Sequence, residues 1–343
     1  MDASQHNWPD PANSVQPGTN DPRLKPTPDY AQNLGPEPVQ DPVQRTLAGH
    51  GARRSAVALG ALALGLCLLS AAMMLQARAG WSRTASVFPL AARPSFTSHT
   101  VIGPQDLAQL DRMKPQAQAE ALLEAAVGRV PGAAQQIATR ADRWYGHLVL
   151  QPQLNTLVTA SLNSEDLQVR EAALDVQLAA YNLSKTPASV DLLVREADSA
   201  NHARRVWALW SLGAMANRRV ETDQAVTALL AHLKDSDEDS RRWAVEGLSL
   251  AGTAAVIEPL LSVLHDDVSP AVRERAACGL ASSGMFTAEL RSVAVPQLIL
   301  YTADPALDAR THAWAFQALG DITRQRLPND SAAWRNWYEN SRD

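Results

Sequence analysis

RVWALWSLG, residues 205–213, is the stretch that decides the fold, because altered copies of it recur along the chain. Residues 170–177 read REAALDVQ, residues 241–248 read RRWAVEGL and residues 273–280 read RERAACGL. The leading arginines are separated by 35, 36 and 32 residues, and an alanine follows each after three residues. A fifth copy has His312 in what we call the arginine position. Periods of this length indicate a stacked repeat array.

Each repeat is predicted to contain two helices. The first begins with acidic or small polar residues, such as Asp235 to Asp239, which cap free backbone N–H groups and suit the positive end of the helix dipole. The second has apolar residues at i, i+3, i+4 and i+7, as in Val226, Leu229, Leu230 and Leu233. We expect Ser282-Ser283-Gly284 to end a helix, with Gly284 in a left-handed turn.

This layout resembles the HEAT-repeat family, including the HEAT-like repeats of bilin lyases. The resemblance covers residues 160–325 well and residues 106–150 weakly. It implies a right-handed α-solenoid of about five or six HEAT-type helix pairs, in which the family's arginine meets the acidic cap of a neighbouring repeat. That role falls on four residues, which are Arg170, Arg205, Arg241 and Arg273. Gln177, where leucine is expected, and His312 depart from the pattern and predict irregular packing.

Composition divides the chain into four regions. Residues 1–53 contain nine prolines and few large apolar residues, which predicts a disordered tail. Residues 54–77 are predicted to form a transmembrane helix, residues 78–105 a linker, and residues 106–343 the solenoid. The solenoid is expected to close with a Trp-rich capping helix near Trp334 and Trp337. The whole chain is therefore expected to be all-α.

The membrane prediction rests on residues 56–75, AVALGALALGLCLLSAAMML, which carry no charge. Twenty helical residues span about 30 Å, the thickness of a bilayer's hydrocarbon core. A cleaved twin-arginine signal at Arg53-Arg54 is the weaker alternative. The arginine pair favours a cytoplasmic N-terminus with extracytoplasmic repeats, although arginines flank both ends. Small residues four apart, at Ala56 and Gly60, allow a weak homodimer through this helix.

Few residues point to chemistry. No histidine precedes a glutamate or pairs with another histidine at i+3 or i+4, so we predict no metal, no cofactor and no catalytic residue. The net charge of −5 argues against nucleic acid as a partner. Four aromatic residues are candidates for binding a partner or, alternatively, for packing between repeats: Trp207, Trp210, Trp243 and Trp314.

The functional expectation is a non-enzymatic, membrane-tethered bacterial scaffold that binds a protein or peptide along the solenoid. Extended solenoids offer long curved surfaces and bind partners without chemistry. The alternative, from fold resemblance alone, is a HEAT-like enzyme of the bilin-lyase or DNA-glycosylase kind with a site on the inner face. An inner-face polar cluster that capping does not explain would favour that enzyme.

Overall fold

A computed structural model describes residues 101–341, and the part of the chain it describes contains helices and no β-strand. The predicted tail, the transmembrane run at 56–75 and residues 78–100 of the linker lie outside the described residues. Between residues 101 and 341, no helix is both long enough and apolar enough to cross a bilayer. The expected all-α solenoid architecture is confirmed for the described residues.

The N-terminal portion of the described range 101–341 has five helices. They are α1 (Pro104–Leu110), α2 (Pro115–Val127), α3 (Ala133–Arg140), α4 (Pro152–Leu162) and α5 (Leu167–Ala180), with a short 3-10 turn at Ala141–Arg143. Proline stands in the first turn of α1, α2 and α4, where its missing N–H has no intrahelical partner to lose. These helices include the residues 106–150 over which the resemblance to HEAT repeats is weak.

The regular repeats follow. Their helices are α6 (Pro187–Ala197), α7 (His202–Asn217), α8 (Thr222–His232), α9 (Glu238–Ala251), α10 (Ile257–Asp266), α11 (Pro270–Cys278), α12 (Ala288–Ser292), α13 (Val295–Tyr301), α14 (Ala309–Thr323) and α15 (Ser331–Asn340). A 3-10 turn precedes α10, and a π-helical turn at Gly279–Ser283 extends α11.

The helices form two layers. The first helices α5, α7, α9, α11 and α14 lie side by side, and each contacts the next. The second helices α6, α8, α10 and α13 each pack against the first helix of the following unit. The acidic and polar starts predicted from sequence are N-caps: the side chains of Asp166, Asp237 and Asp308 each accept a backbone N–H from the helix they begin.

Helix α7 is buried all round, since every residue from Val206 to Ala216 is shielded from water. Close packing with α9 depends on two glycines. A Cβ at Gly213 would lie 2.2 Å from the carbonyl oxygen of Gly247, so only glycine permits this separation between the two helices. The middle of the array is therefore a closely packed core.

Helix α5 joins two hydrophobic clusters. Its residues Val169, Ala173 and Val176 belong to a cluster formed with α1 to α4, whereas Leu174 and Leu178 belong to the cluster of the later repeats. Because α5 is buried on both sides, it connects the irregular N-terminal helices to the regular repeats.

Candidate functional site

The arginine position cross-braces the regular repeats in the same way three times. The Nη1 atoms of Arg205, Arg241 and Arg273 donate to the carbonyl oxygen six residues upstream, at 2.9, 3.0 and 2.7 Å. Their remaining N–H groups bind an aspartate near the start of the first helix of the following repeat. The pairs are Arg205–Asp237 at 3.1 Å, Arg241–Asp267 at 2.8 Å and Arg273–Asp308 at 2.6 Å. Each guanidinium thus links its own unit to the following one.

The aspartates on the receiving side also serve as helix caps. The Asp237 carboxylate accepts the backbone N–H of Ser240 at 3.1 Å as well as the Nη2 of Arg205. Hydrogen bonds from Ser240, together with the neighbouring Arg205, lower the pKa of Asp237 to about 2. Asp267 binds Arg241 through both oxygens, and this hydrogen bonding raises the pKa of Arg241.

Arg170 follows only part of this scheme. Its Nε donates to the carbonyl oxygen of Ser164, six residues upstream, but the expectation that it meets the cap of the next repeat is wrong. Its Nη1 donates to the carbonyl oxygens of Ser282, Ser283 and Gly284 at 2.9, 3.2 and 3.2 Å, more than a hundred residues along the chain. The reason is that α7 is capped by Asn201 and has no acidic residue in its first turn. Lacking a carboxylate there, Arg170 binds the partially negative carbonyl end of the α11 segment.

Arg291 binds the same helix end and was not identified from the sequence. Its guanidinium donates to the carbonyl oxygens of Leu280, Ser282 and Gly284. Burial lowers the pKa of Arg291 to about 10, and the nearby Arg170 adds to the shift. Gly284 itself has φ −72° and ψ 160°, so the expected left-handed turn is wrong. The π-helical turn and the two arginines, rather than a glycine cap, satisfy these carbonyls.

The two positions that depart from the repeat pattern are both polar and both contact other groups. Gln177 is buried, and its Nε2 donates to the hydroxyl oxygen of Tyr181 at 3.1 Å. His312 lies 2.8 Å through Nε2 from the carbonyl oxygen of Asp304, eight residues upstream. His312 therefore bonds an upstream carbonyl, as the arginines do, but its shorter side chain does not brace the next unit.

Three of the four candidate tryptophans lie in the core. Trp207 and Trp210 are each 2% exposed and Trp243 is 7% exposed, and the ring of Tyr181 makes edge contacts with Trp207 and Trp210. None of the three presents a ring face to a partner, so packing between repeats accounts for them. Trp314, on α14, is only half-buried and lies at the surface.

A polar cluster that was not predicted from the sequence joins α5 to α7. Asp175 is 1% exposed, and its Oδ1 accepts from Lys185 Nζ at 3.2 Å and Arg218 Nε at 3.1 Å. Burial and the charge of Asp142 raise the pKa of Tyr145, which lies close to this cluster. Two cations around one carboxylate give a charge-paired link between helices, which explains the cluster without assigning it chemistry.

A groove runs along the surface between α11 and α14. One wall has residues at i, i+3, i+4 and i+7 from Glu274 to Ala281, and the other has the same spacing from Trp314 to Asp321. Buried alanines, namely Ala277, Ala281 and Ala318, form its floor. Within residues 101–341, no cluster of three or more His, Cys, Asp or Glu side chains is arranged to hold a metal ion.

Comparisons with known proteins address the fold. No curated protein sequence matches the chain. A crystal structure described as an engineered protein of the Northeast Structural Genomics Consortium shares 19% identity, with a TM-score of 0.30 over 64% of this chain and 95% of its own. The family model for HEAT repeats matches residues 190–281, from α6 to the π-helical turn. Over those residues the chain is similar to HEAT repeats.

Proposed function

We propose that this protein is a non-enzymatic scaffold that binds a protein or peptide partner on the surface of its solenoid. The supporting observation is the α11–α14 groove, where Trp314 is half-buried while the other three candidate tryptophans are in the core. A half-exposed tryptophan in a groove offers a large contact area at low conformational cost, and such residues are frequent anchors in protein interfaces.

The braced junctions support this proposal because they hold the groove walls in place. Arg273, on α11, reaches Asp308 and Thr311 at the start of α14, with Nε–Oγ1 at 3.0 Å. A groove fixed before binding loses less conformational entropy when a partner docks.

Membrane attachment is part of the same proposal. Residues 56–75 would anchor the chain as a single-pass protein, with a cytoplasmic N-terminus and extracytoplasmic repeats. Confinement to the bilayer raises the effective concentration of the scaffold toward a membrane-borne partner. Reporter fusions at the two termini test the orientation, because this topology requires a cytoplasmic readout at the N-terminus and an extracytoplasmic readout at the C-terminus.

Site-specific photo-crosslinking of the full chain in membranes tests the binding function. A photoreactive amino acid at Gln317, which is exposed on the groove wall, is expected to capture a discrete protein partner. The matched control places it at Thr227, which is exposed on α8 away from the groove. Equal or absent crosslinking at the two positions would contradict a partner at this surface.

A further inference from the structure

We propose that the α11–α14 groove binds a lysine or arginine side chain of the partner, so that the partner presents a basic segment to the solenoid. This inference rests on the proposed function and specifies the partner's chemistry. The inference comes from a comparison of three successive junctions between repeats, in which the same pair of positions is occupied by different residues. Each pair takes one residue from each of two neighbouring first helices. On the earlier helix it is the residue five positions after the arginine position. On the later helix it is the residue two positions after that helix's own arginine position.

The equivalent positions are filled differently at each junction. Between α7 and α9 they are Trp210 and Trp243, both buried in the core. Between α9 and α11 they are Glu246 and Arg275, which form a salt bridge. Between α11 and α14 they are Cys278 and Trp314.

The last junction leaves space because cysteine is much smaller than tryptophan or glutamate. Cys278 lies over a floor of alanines, and Trp314 makes no aromatic or cation–π contact with any residue in the 101–341 range. At the preceding junction the corresponding space is crossed by the Arg275 guanidinium. The α11–α14 groove therefore corresponds to the α9–α11 junction without a cation in the place of the Arg275 guanidinium.

The groove's charge matches a cation. Glu274 and Asp321 lie on opposite walls, and neither side chain makes a hydrogen bond or salt bridge to any residue in the 101–341 range. A cation over an indole face gains from the ring quadrupole, and two carboxylates nearby strengthen that attraction. Trp314 together with these two carboxylates forms a site for a guanidinium or ammonium group.

Two arginines beside the groove, Arg275 and Arg291, are already engaged and do not supply that cation. Arg275 bonds Glu246 and donates Nη2 to Ser283 Oγ at 3.0 Å. Arg291 donates to backbone carbonyls, as described above. Arg310 and Arg324, at the two ends of α14, form no salt bridge with Glu274 or Asp321 and no cation–π contact with Trp314, so we assign the cation to the partner.

Titration of the full chain by NMR tests the inference, with N-acetyl-arginine amide as the probe and N-acetyl-citrulline amide as its neutral isostere. The indole N–H signal of Trp314, assigned by its loss in Trp314→Phe, is expected to shift with the arginine compound. Binding of the citrulline compound is expected to be about tenfold weaker, since the cation–π and carboxylate attractions are lost. Equal shifts with both compounds, or none with either, would overturn the proposal.

Variants distinguish the groove from a general effect of charge. Glu274→Gln with Asp321→Asn should abolish the preference for arginine, and Cys278→Leu should block binding while keeping both carboxylates. Asp223→Asn, which removes an exposed carboxylate on α8 away from the groove, should change affinity less than about twofold. An arginine preference that persists in the double variant would contradict the assignment of Glu274 and Asp321 to the cation site.

The crosslinking experiment separates this inference from the function on which it rests. If wild type and the double variant capture the partner equally from Gln317, the basic-segment proposal fails and the scaffold function stands. If neither protein captures a partner, the scaffold function itself fails.

Discussion

At the scale of single residues, the partner of each arginine at the arginine position depends on the cap of the following first helix. Arg205, Arg241 and Arg273 bind an aspartate of the next unit, whereas Arg170 binds distant carbonyls. The difference lies in the start of the first helix that follows. In three cases an aspartate is the N-cap or lies close to it, whereas in the fourth the N-cap is Asn201. The missing acid was readable in the sequence, but the replacement partner was not.

Replacing Arg241 by alanine is expected to destabilise the fold by about 2–3 kcal/mol, because Asp267 would lose two charge-assisted hydrogen bonds in a largely buried site. Urea unfolding measures the loss. Arg195→Ala, at an exposed position on α6, is the control and should change stability by less than about 0.5 kcal/mol. Similar losses in the two variants would show that the brace does not contribute.

Asp237 gives a pH prediction. Its pKa in the folded state is about 2, below the usual value for aspartate, so its carboxylate stabilises the fold above about pH 4. That contribution is lost as pH falls from about 4 towards 2. Asp237→Asn keeps a capping oxygen but cannot titrate. We expect the melting temperature of the wild type to fall more steeply over this range than that of the variant, and parallel curves would contradict the assignment.

At the scale of helices, the separation of α7 and α9 depends on glycine where a helix would otherwise favour alanine. Gly213 faces the backbone of Gly247 directly. A Cβ added to Gly247 would in turn lie 2.5 Å from the carbonyl oxygen of Leu209. Helix propensity favours alanine over glycine by up to about 1 kcal/mol. The clash with backbone, which cannot move aside like a flexible side chain, outweighs that gain.

Gly213→Ala is therefore expected to destabilise the protein by about 1–3 kcal/mol through overpacking. Gly320→Ala is the matched control, because its Cβ would meet nothing closer than 3.5 Å and helix propensity alone should raise stability slightly. Differential scanning calorimetry of the two variants is the measurement. A shift of the same sign in both would mean that the α7–α9 contact does not set the separation of these helices.

At the scale of the whole described unit, Arg170 ties the first repeat-like helix α5 to the end of the α11 segment. This contact, with the burial of α7 on all sides, replaces the open inner surface that an extended solenoid would offer. The candidate aromatics Trp207, Trp210 and Trp243 lie within that filled interior. Partner binding is therefore expected at the α11–α14 groove beside Trp314.

Arg170→Gln is expected to loosen the helix end formed by residues 279–284 without unfolding the array. Hydrogen exchange read by mass spectrometry should show faster exchange in peptides covering residues 279–286, because Gly284 N–H to Gly279 O is part of the turn that Arg170 supports. Peptides from α8, remote from the contact, serve as the internal control. Unchanged exchange at 279–286 would show that the long-range contact contributes little.

What the sequence determined by itself was local: the helix pairs, their acidic caps and the position of the arginine on each first helix. Each of these depends on residues within about two helical turns, where the spacing of side chains fixes which groups can meet. The tertiary structure alone decided that α5 reaches the α11 segment, that three tryptophans are in the core, and that one junction is left open. These outcomes depend on how the rotations between successive helix pairs accumulate along the stack, and no single repeat encodes that sum.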